Sequence, residues 1–158
     1  MLDFAMLLTA AAIVGLDQLA KYLTVKNIPL GGTVPVWPGV FHLTYIRNTG
    51  AAFSMLSGAR WFFLALTAAF LAGAVWCVRA RKIRHPLGRW ALVLIAGGAV
   101  GNMIDRLFHG SVVDMIELDF MRFAIFNVAD CFVTVGAALL VIWALFCDRK
   151  KDSHEDSL

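Results

Sequence analysis

The sequence predicts an all-α membrane protein with four transmembrane helices, both termini cytoplasmic, and a small extracytoplasmic β-like segment between the first two helices. Three observations predict it. Of the 158 residues, 60% are hydrophobic and 16% charged, with a mean hydropathy of +0.75, well above the apolar content of ordinary soluble domains. The apolar residues gather in four runs, each near the roughly 20 helical residues that cross about 30 Å of hydrocarbon. Basic residues are concentrated between the second and third runs and after the fourth, which sets the orientation.

The first run covers residues 4–25. A cleaved leader is the competing reading, but no Lys or Arg precedes its apolar part and no small-x-small site follows it cleanly, so it is read as a helix. Residues 26–60 form an extracytoplasmic connection. Within it, GVFHLTYIRNTGAAFS alternates apolar and polar positions through Phe41, Leu43 and Tyr45 and breaks at Gly50, predicting a short strand and turn. An ordinary connecting hairpin and a lid over a substrate share that pattern. Trp37 and Trp61 are expected at headgroup level.

The second helix is expected over residues 61–78 and the third over 87–108. The loop between them carries Arg79, Arg81, Lys82, Arg84 and Arg89, and the tail 148–158 carries Arg149, Lys150 and Lys151. This asymmetry accounts for the net charge of +3 and the pI near 9.0 without a nucleic-acid partner. Gly97 and Gly101 have the small-xxx-small spacing of close helix packing. The fourth helix is expected over residues 123–147, and the whole chain 1–158 reads as a single integral membrane domain. Cys77, Cys131 and Cys147 are expected to be buried free thiols, with Cys131 near the opposite membrane face from the other two.

This topology brings acids to one face. The first and third helices run outward, so Asp17 falls in the outer half of one, and Asn102, Asp105 and Arg106 fall near the outer end of the other. The fourth runs inward and carries Asn127 and Asp130 in its first two turns, while Asp114 lies in the loop between the third and fourth. An ionised side chain at mid-membrane costs about 2.5–3.5 kcal/mol on insertion scales, so such residues need a partner or a function. Asp17 and Lys21 are an i, i+4 pair, which a purely structural ion pair explains equally well. Asp105 and Arg106 are adjacent and point in different directions, so each needs another partner; snorkelling is the competing reading for Arg106 alone, as interhelical hydrogen bonding is for Asn102 and Asn127.

Asp114 and Asp130 are different, because neither has a counter-ion in its own segment. Two carboxyls sharing a low-dielectric site hold one proton between them, one accepting from water and the other donating to a leaving group. That is peptide-hydrolysis chemistry. Competing schemes lack their signatures. His42, His85, His109 and His154 are scattered over both membrane sides, and no HExxH or paired-Cys spacing suggests a metal or cofactor. Cys131 points away from Asp130 and reads as packing. Ser54 or Ser111 with Lys26 forms no recognisable nucleophile–base pattern. A proton-coupled transporter would need ionisable groups through the full depth, which the second helix and the cytoplasmic halves of the others lack. A noncatalytic lipoprotein-assembly protein, with the acids as interhelical glue, is the third reading.

The segments DQLAK (17–21), YIRNTGAAFS (45–54), GNMIDRLFHGSVVDMI (101–116) and FNVAD (126–130) together resemble the lipoprotein signal peptidase, or signal peptidase II, family. The likeness spans almost the whole chain. It implies an aspartic endopeptidase of the bacterial inner membrane, with its active site toward the periplasm. Such an enzyme removes signal peptides from prolipoproteins by cleaving on the amino side of a diacylglyceryl-modified cysteine, and globomycin inhibits it. The resemblance puts the catalytic pair on Asp114 and Asp130, a polar shell on Asn48, Asn102, Asp105, Arg106 and Asn127, and a supporting pair on Asp17 and Lys21. It implies no cofactor. A monomer among membrane lipids is expected. Glu117 and Asp119 depart from the family pattern, and Asp105 stays open as an alternative partner for Asp130.

Overall fold

The computed structural model describes residues 4–50 and 55–147. Helix α1 (Phe4–Asn27) leads into strands β1 (Thr33–Trp37) and β2 (Phe41–Asn48). Helices α2 (Arg60–Arg79) and α3 (Pro86–His109) follow, then strand β3 (Val112–Leu118) and helix α4 (Val128–Ile142), whose last turn widens into a π-helix at Trp143–Cys147. Among the described residues, four helical segments are long and apolar enough to cross a membrane, the fourth being Val128–Cys147.

The first three helices match their expected spans within two residues. Their ends have local causes. In α3, Pro86 occupies the first turn, where its missing N–H costs nothing, and the His85 side chain accepts from Leu87 N. At the other end Gly110 adopts φ 74°, a left-handed stop that returns its N–H to the Arg106 carbonyl.

The fourth helix differs from expectation. Residues 123–127 are not helical: Phe126 pairs back on Ile116 in an isolated bridge, and α4 starts after Asn127. Asn127 is the N-cap, accepting from Asp130 N, while the Asp130 carboxylate accepts from Asn127 N, a reciprocal capping box. The loop expected between the third and fourth helices is also corrected. Its residues Val112–Leu118 form β3, which pairs antiparallel with β2, so the sheet has order β1-β2-β3 and is shared by the α1–α2 and α3–α4 connections.

The sheet is anchored over the end of α1 by a small core of Ile28, Tyr45, Val113 and Met115. Below it α3 is the central helix, packed on α1, α2 and α4. Close approach depends on its glycines. A Cβ at Gly98 would stand 2.4 Å from the Ala129 carbonyl oxygen, and one at Gly97 would stand 3.0 Å from Ile13. The thiols depart from expectation too: Cys131 is exposed and Cys77 and Cys147 are half-buried.

Candidate active site

Asp114 enters the site from the sheet. It stands opposite Ile46 in the β2–β3 ladder, and Asn48, two residues further along β2, lies on the same face, since side chains alternate. Asn48 Nδ2 donates to Asp114 Oδ2 at 3.0 Å, and Asn127 Nδ2 donates to Oδ1 at 2.7 Å. Both carboxylate oxygens are therefore held. Asp114 is 2% exposed. Burial pushes its pKa up to about 6, and the neighbouring Asp130 charge adds to the rise against the hydrogen bonds from Asn48 and Asn127.

Asp130 enters from the first turn of α4. Asn102 Nδ2 donates to its Oδ1 at 2.8 Å, and the Asn127 backbone N–H donates to its Oδ2 at 3.2 Å. Asn127 thus contacts both acids, with its side-chain amide on Asp114 and its main chain on Asp130. It is wholly buried, and its amide also donates to Asn102 Oδ1 at 3.1 Å.

A buried ionic cluster sits behind these amides. Lys21 Nζ lies 2.8 Å from Asp17, 3.0 Å from Asp105 and 2.9 Å from Asn102 Oδ1. The lysine donates to the Asn102 oxygen, which leaves the NH2 of that amide facing Asp130. Asp17 accepts the Ala129 N–H at 2.9 Å, an anion at the positive end of α4. Asp105 accepts the Val113 N–H at 3.1 Å, which ties α3 to β3. The cluster thereby fixes the elements that carry Asp114 and Asp130.

A groove of about 680 Å³ runs past the two acids. Asn48, Asn102, Arg106, Asp114 and Asp130 line it, together with apolar walls that include Phe63, Val112, Phe123, Phe126 and Val133. Arg106 donates to the Gly50 carbonyl at 3.0 Å and stacks 4.7 Å from the Phe63 ring, so it is held at the groove rather than free to snorkel. Cys131 opens onto the groove and is not packed away. Asp105 is 3% exposed and does not line the groove; its carboxylate is committed to Lys21, Val113 and Gln18.

All nine residues singled out in the sequence meet in this network. The sequence did not point to Gln18, whose amide donates to Asp105 at 3.0 Å and to the Gly101 carbonyl at 3.2 Å. Nor did it separate Gly101 from Gly97. A Cβ on Gly101 would stand 2.5 Å from Asp17 Oδ2, so this glycine makes room for a carboxylate and not for a hydrocarbon chain. Phe63 was missed as well; an aromatic residue in an apolar helix carries no distinguishing signal. Of the other groups weighed in the sequence, Ser111 is buried and Lys26 lies over the Tyr22 ring, while Ser54 and His154 fall outside the described residues.

The chain is similar to known proteins along most of its length. The signal peptidase (SPase) II family matches residues 9–146. A lipoprotein signal peptidase of Brevibacillus brevis is 46% identical over 145 residues, covering 92% of this chain and 97% of that one. One from Streptococcus pyogenes serotype M6 is 44% identical over 149 residues, covering 94% and 95%. A solved bacterial membrane enzyme, determined by the in meso method at 2.3 Å, superposes with a TM-score of 0.88 at 34% identity over 93% of this chain and 91% of its own. A likeness of this extent, in sequence and in fold, makes the chain a multi-pass membrane protein of the signal peptidase II family, the proteases that remove signal peptides from prolipoproteins.

Proposed function

We propose that Asp114 and Asp130 are the catalytic pair and that the substrate lies along the groove they share. The observation that carries this reading is their convergence. One acid comes from a strand and the other from a helix, both line one apolar groove, and buried Asn amides hold both. The engagement of Asp105 with Lys21 supports Asp114, and not Asp105, as the partner of Asp130.

In this reading the pair carries a single proton. The ionised carboxylate takes a proton from a water molecule, whose oxygen attacks the scissile carbonyl carbon. The protonated partner donates to the carbonyl oxygen, giving a neutral tetrahedral diol. The diol collapses as the C–N bond breaks, and a proton passes from the pair to the leaving nitrogen to release an amine and a carboxylic acid. Asn48 and Arg106 border the groove where the extended substrate backbone would lie. Asn102 and Asn127 hold the acids, and Asp17, Lys21 and Asp105 hold those amides and the strand.

The scissile bond is on the amino side of a diacylglyceryl-modified cysteine, and the apolar groove suits both the signal helix and the lipid. The termini are cytoplasmic and the site faces the periplasm from the inner membrane, as the basic loops favour. The whole chain acts as one membrane domain and as a monomer among lipids, and globomycin competes for the groove. A gel-shift cleavage assay on the purified protein, with one prolipoprotein offered with and without its diacylglyceryl group, tests the reading. Cleavage of the lipidated form alone is expected, falling at least about a thousandfold in Asp114→Asn and in Asp130→Asn. Turnover that survives both substitutions would sink the assignment.

A further inference from the structure

A second set of charged side chains meets at the other end of the sheet. His42 on β2 is paired directly with Glu117 on β3. Its Nε2 lies 2.8 Å from the Glu117 carboxylate, and its Nδ1 is bonded to the Asp119 carboxylate. Asp119 also accepts the Gly39 N–H at 3.1 Å and donates its own N–H to the Val40 carbonyl at 3.0 Å, so it ties the β1–β2 turn to the end of β3. The protonation state follows from the geometry. A neutral imidazole has one donor and one acceptor, whereas a ring placed between two carboxylates satisfies both only as the imidazolium.

The clasp stands where the chain leaves the sheet on its way to α4. The segment that follows is anchored at its far end by Phe126, which exchanges backbone hydrogen bonds with Ile116 at 2.7 and 3.1 Å. Between these two anchors, Phe120, Met121 and Phe123 are exposed, and Phe123, Ala124 and Ile125 form part of the wall of the groove. Whatever holds Asp119 therefore holds one end of that wall.

We propose that His42 is a positioning residue: as an imidazolium clasped between Glu117 and Asp119, it fixes the base of segment 119–126 and with it the groove wall that meets the substrate. The consequence for substrate affinity rests on the groove being the substrate site; the consequence for the segment does not.

The charges around His42 among the described residues are few. Glu117 and Asp119 face it from β3 and the residue after it, and Arg122 borders the same surface hollow. β1 carries no ionisable side chain. On β2 itself, Arg47 is bonded to the Tyr45 hydroxyl. From α1, Lys21 is held by Asp17 and Asp105, and Lys26 lies over Tyr22. Partial desolvation works against the imidazolium, but the hydrogen bonds and charges of Glu117 and Asp119 outweigh it, so the pKa of His42 is raised above 6.5. A hydrogen bond from Thr44 lowers the pKa of Glu117 below 4.5 against slight burial, and the bond to His42 lowers it further. The signs give a window. A raised histidine contributes fully below 6.5 and is lost as pH rises through its folded value, whereas a lowered carboxylate contributes above 4.5 and is lost as pH falls.

The test measures KM and kcat on a lipidated prolipoprotein from pH 5.5 to 8.5, with hydrogen exchange of segment 119–126 followed in parallel. The full-length wild type, His42→Gln, Glu117→Gln and His42→Arg are compared. In His42→Gln and Glu117→Gln, KM is expected to rise about threefold to tenfold at pH 6 with kcat within twofold, and the segment to exchange faster. The wild type approaches the same behaviour as pH rises, while His42→Arg, a permanent cation, stays near the low-pH wild type throughout. Unchanged exchange in both Gln variants overturns the clasp. Faster exchange with unchanged KM overturns the positioning role and points to a groove wall that the substrate does not touch, while the Asp114 and Asp130 variants report separately on catalysis.

Discussion

Helices α2 and α3 are neighbours of similar length and apolar character, yet one is bare and the other enclosed. In α3, ten residues are buried, from Gly88 through Asp105; in α2, Leu64 alone is. The difference does not come from hydrophobicity, since α2 has the higher mean hydropathy of the two, 2.0 against 1.5 over their most apolar windows. In a bilayer, lipid tails are as apolar as Leu, so apolar residues do not by themselves draw helices together. What places α3 at the centre is its pattern of small and polar residues. Gly97, Gly98 and Gly101 let α1 and α4 come close, and Asn102 and Asp105 require the partners that α1, α4 and β3 supply.

Substitutions that remove a partner from the α3 network should therefore cost far more than substitutions on α2, and they can be ordered by expected size. Lys21→Met is the largest. It leaves Asp17 and Asp105 buried without their shared cation, a loss of about 3–5 kcal/mol, seen as a large drop in unfolding temperature in detergent. A variant that melts within a degree or two of the wild type would mean that the cluster does not hold α1 to α3.

Asp114→Asn should change the pH dependence of stability while it abolishes cleavage. The folded protein raises the pKa of this acid from 3.8 to about 6, so the folded state binds the proton more tightly than the unfolded chain. Ionisation then costs stability progressively as pH rises from 3.8 to about 6, and the full cost above that is about 3 kcal/mol. The Asn variant has nothing to ionise but sets its own NH2 against the amide of Asn48 or Asn127, so the readout is pH dependence: the gap between variant and wild type should move in the variant's favour by about 3 kcal/mol from pH 4 to pH 8. A gap that does not change with pH would contradict the burial of a titrating acid at this position.

Asn127→Ala removes a cap and the side-chain amide that holds Asp114, and about 1–2 kcal/mol is expected for the cap alone. Its informative readout is the ratio of effects: cleavage should suffer well beyond what that destabilisation explains. At the other extreme, Leu66→Ala, on the exposed face of α2, is expected to shift stability by less than about 0.5 kcal/mol, since that side chain is 55% exposed on a face that lipid would cover. A large effect there would show that α2 has a protein partner.

The same contrast explains what the sequence could convey. Helix spans were legible because length and hydropathy are local quantities, and eight of the nine polar residues stood out because a charged or amide side chain in an apolar segment is conspicuous; Asn48, in a polar connection, was marked by the family resemblance alone. The start of α4 was misjudged because FAIF continues the apolar run, and hydropathy does not separate a buried extended segment from a helix. The Asn127-x-x-Asp130 spacing held the missing signal, a cap followed three residues later by an acid. Strand β3 was read as loop although Val112 and Val113 are β-branched and follow a Gly–Ser break. Gln18 and the clasp at His42 were out of reach for another reason: each joins residues from 75 to 87 positions apart, and nothing in one segment marks its partner in another.

Asp130 rides on a helix of membrane-crossing length, whereas Asp114 rides on a sheet at its end, and Asn127 is the joint between them. The Lys21 cluster ties both carriers to the same two helices, β3 through Asp105 and α4 through Asp17. A tilt of α4 in a thicker or thinner bilayer must therefore carry the sheet with it or break these bonds. The buried cluster is a brace that keeps bilayer thickness from being read out as carboxyl separation.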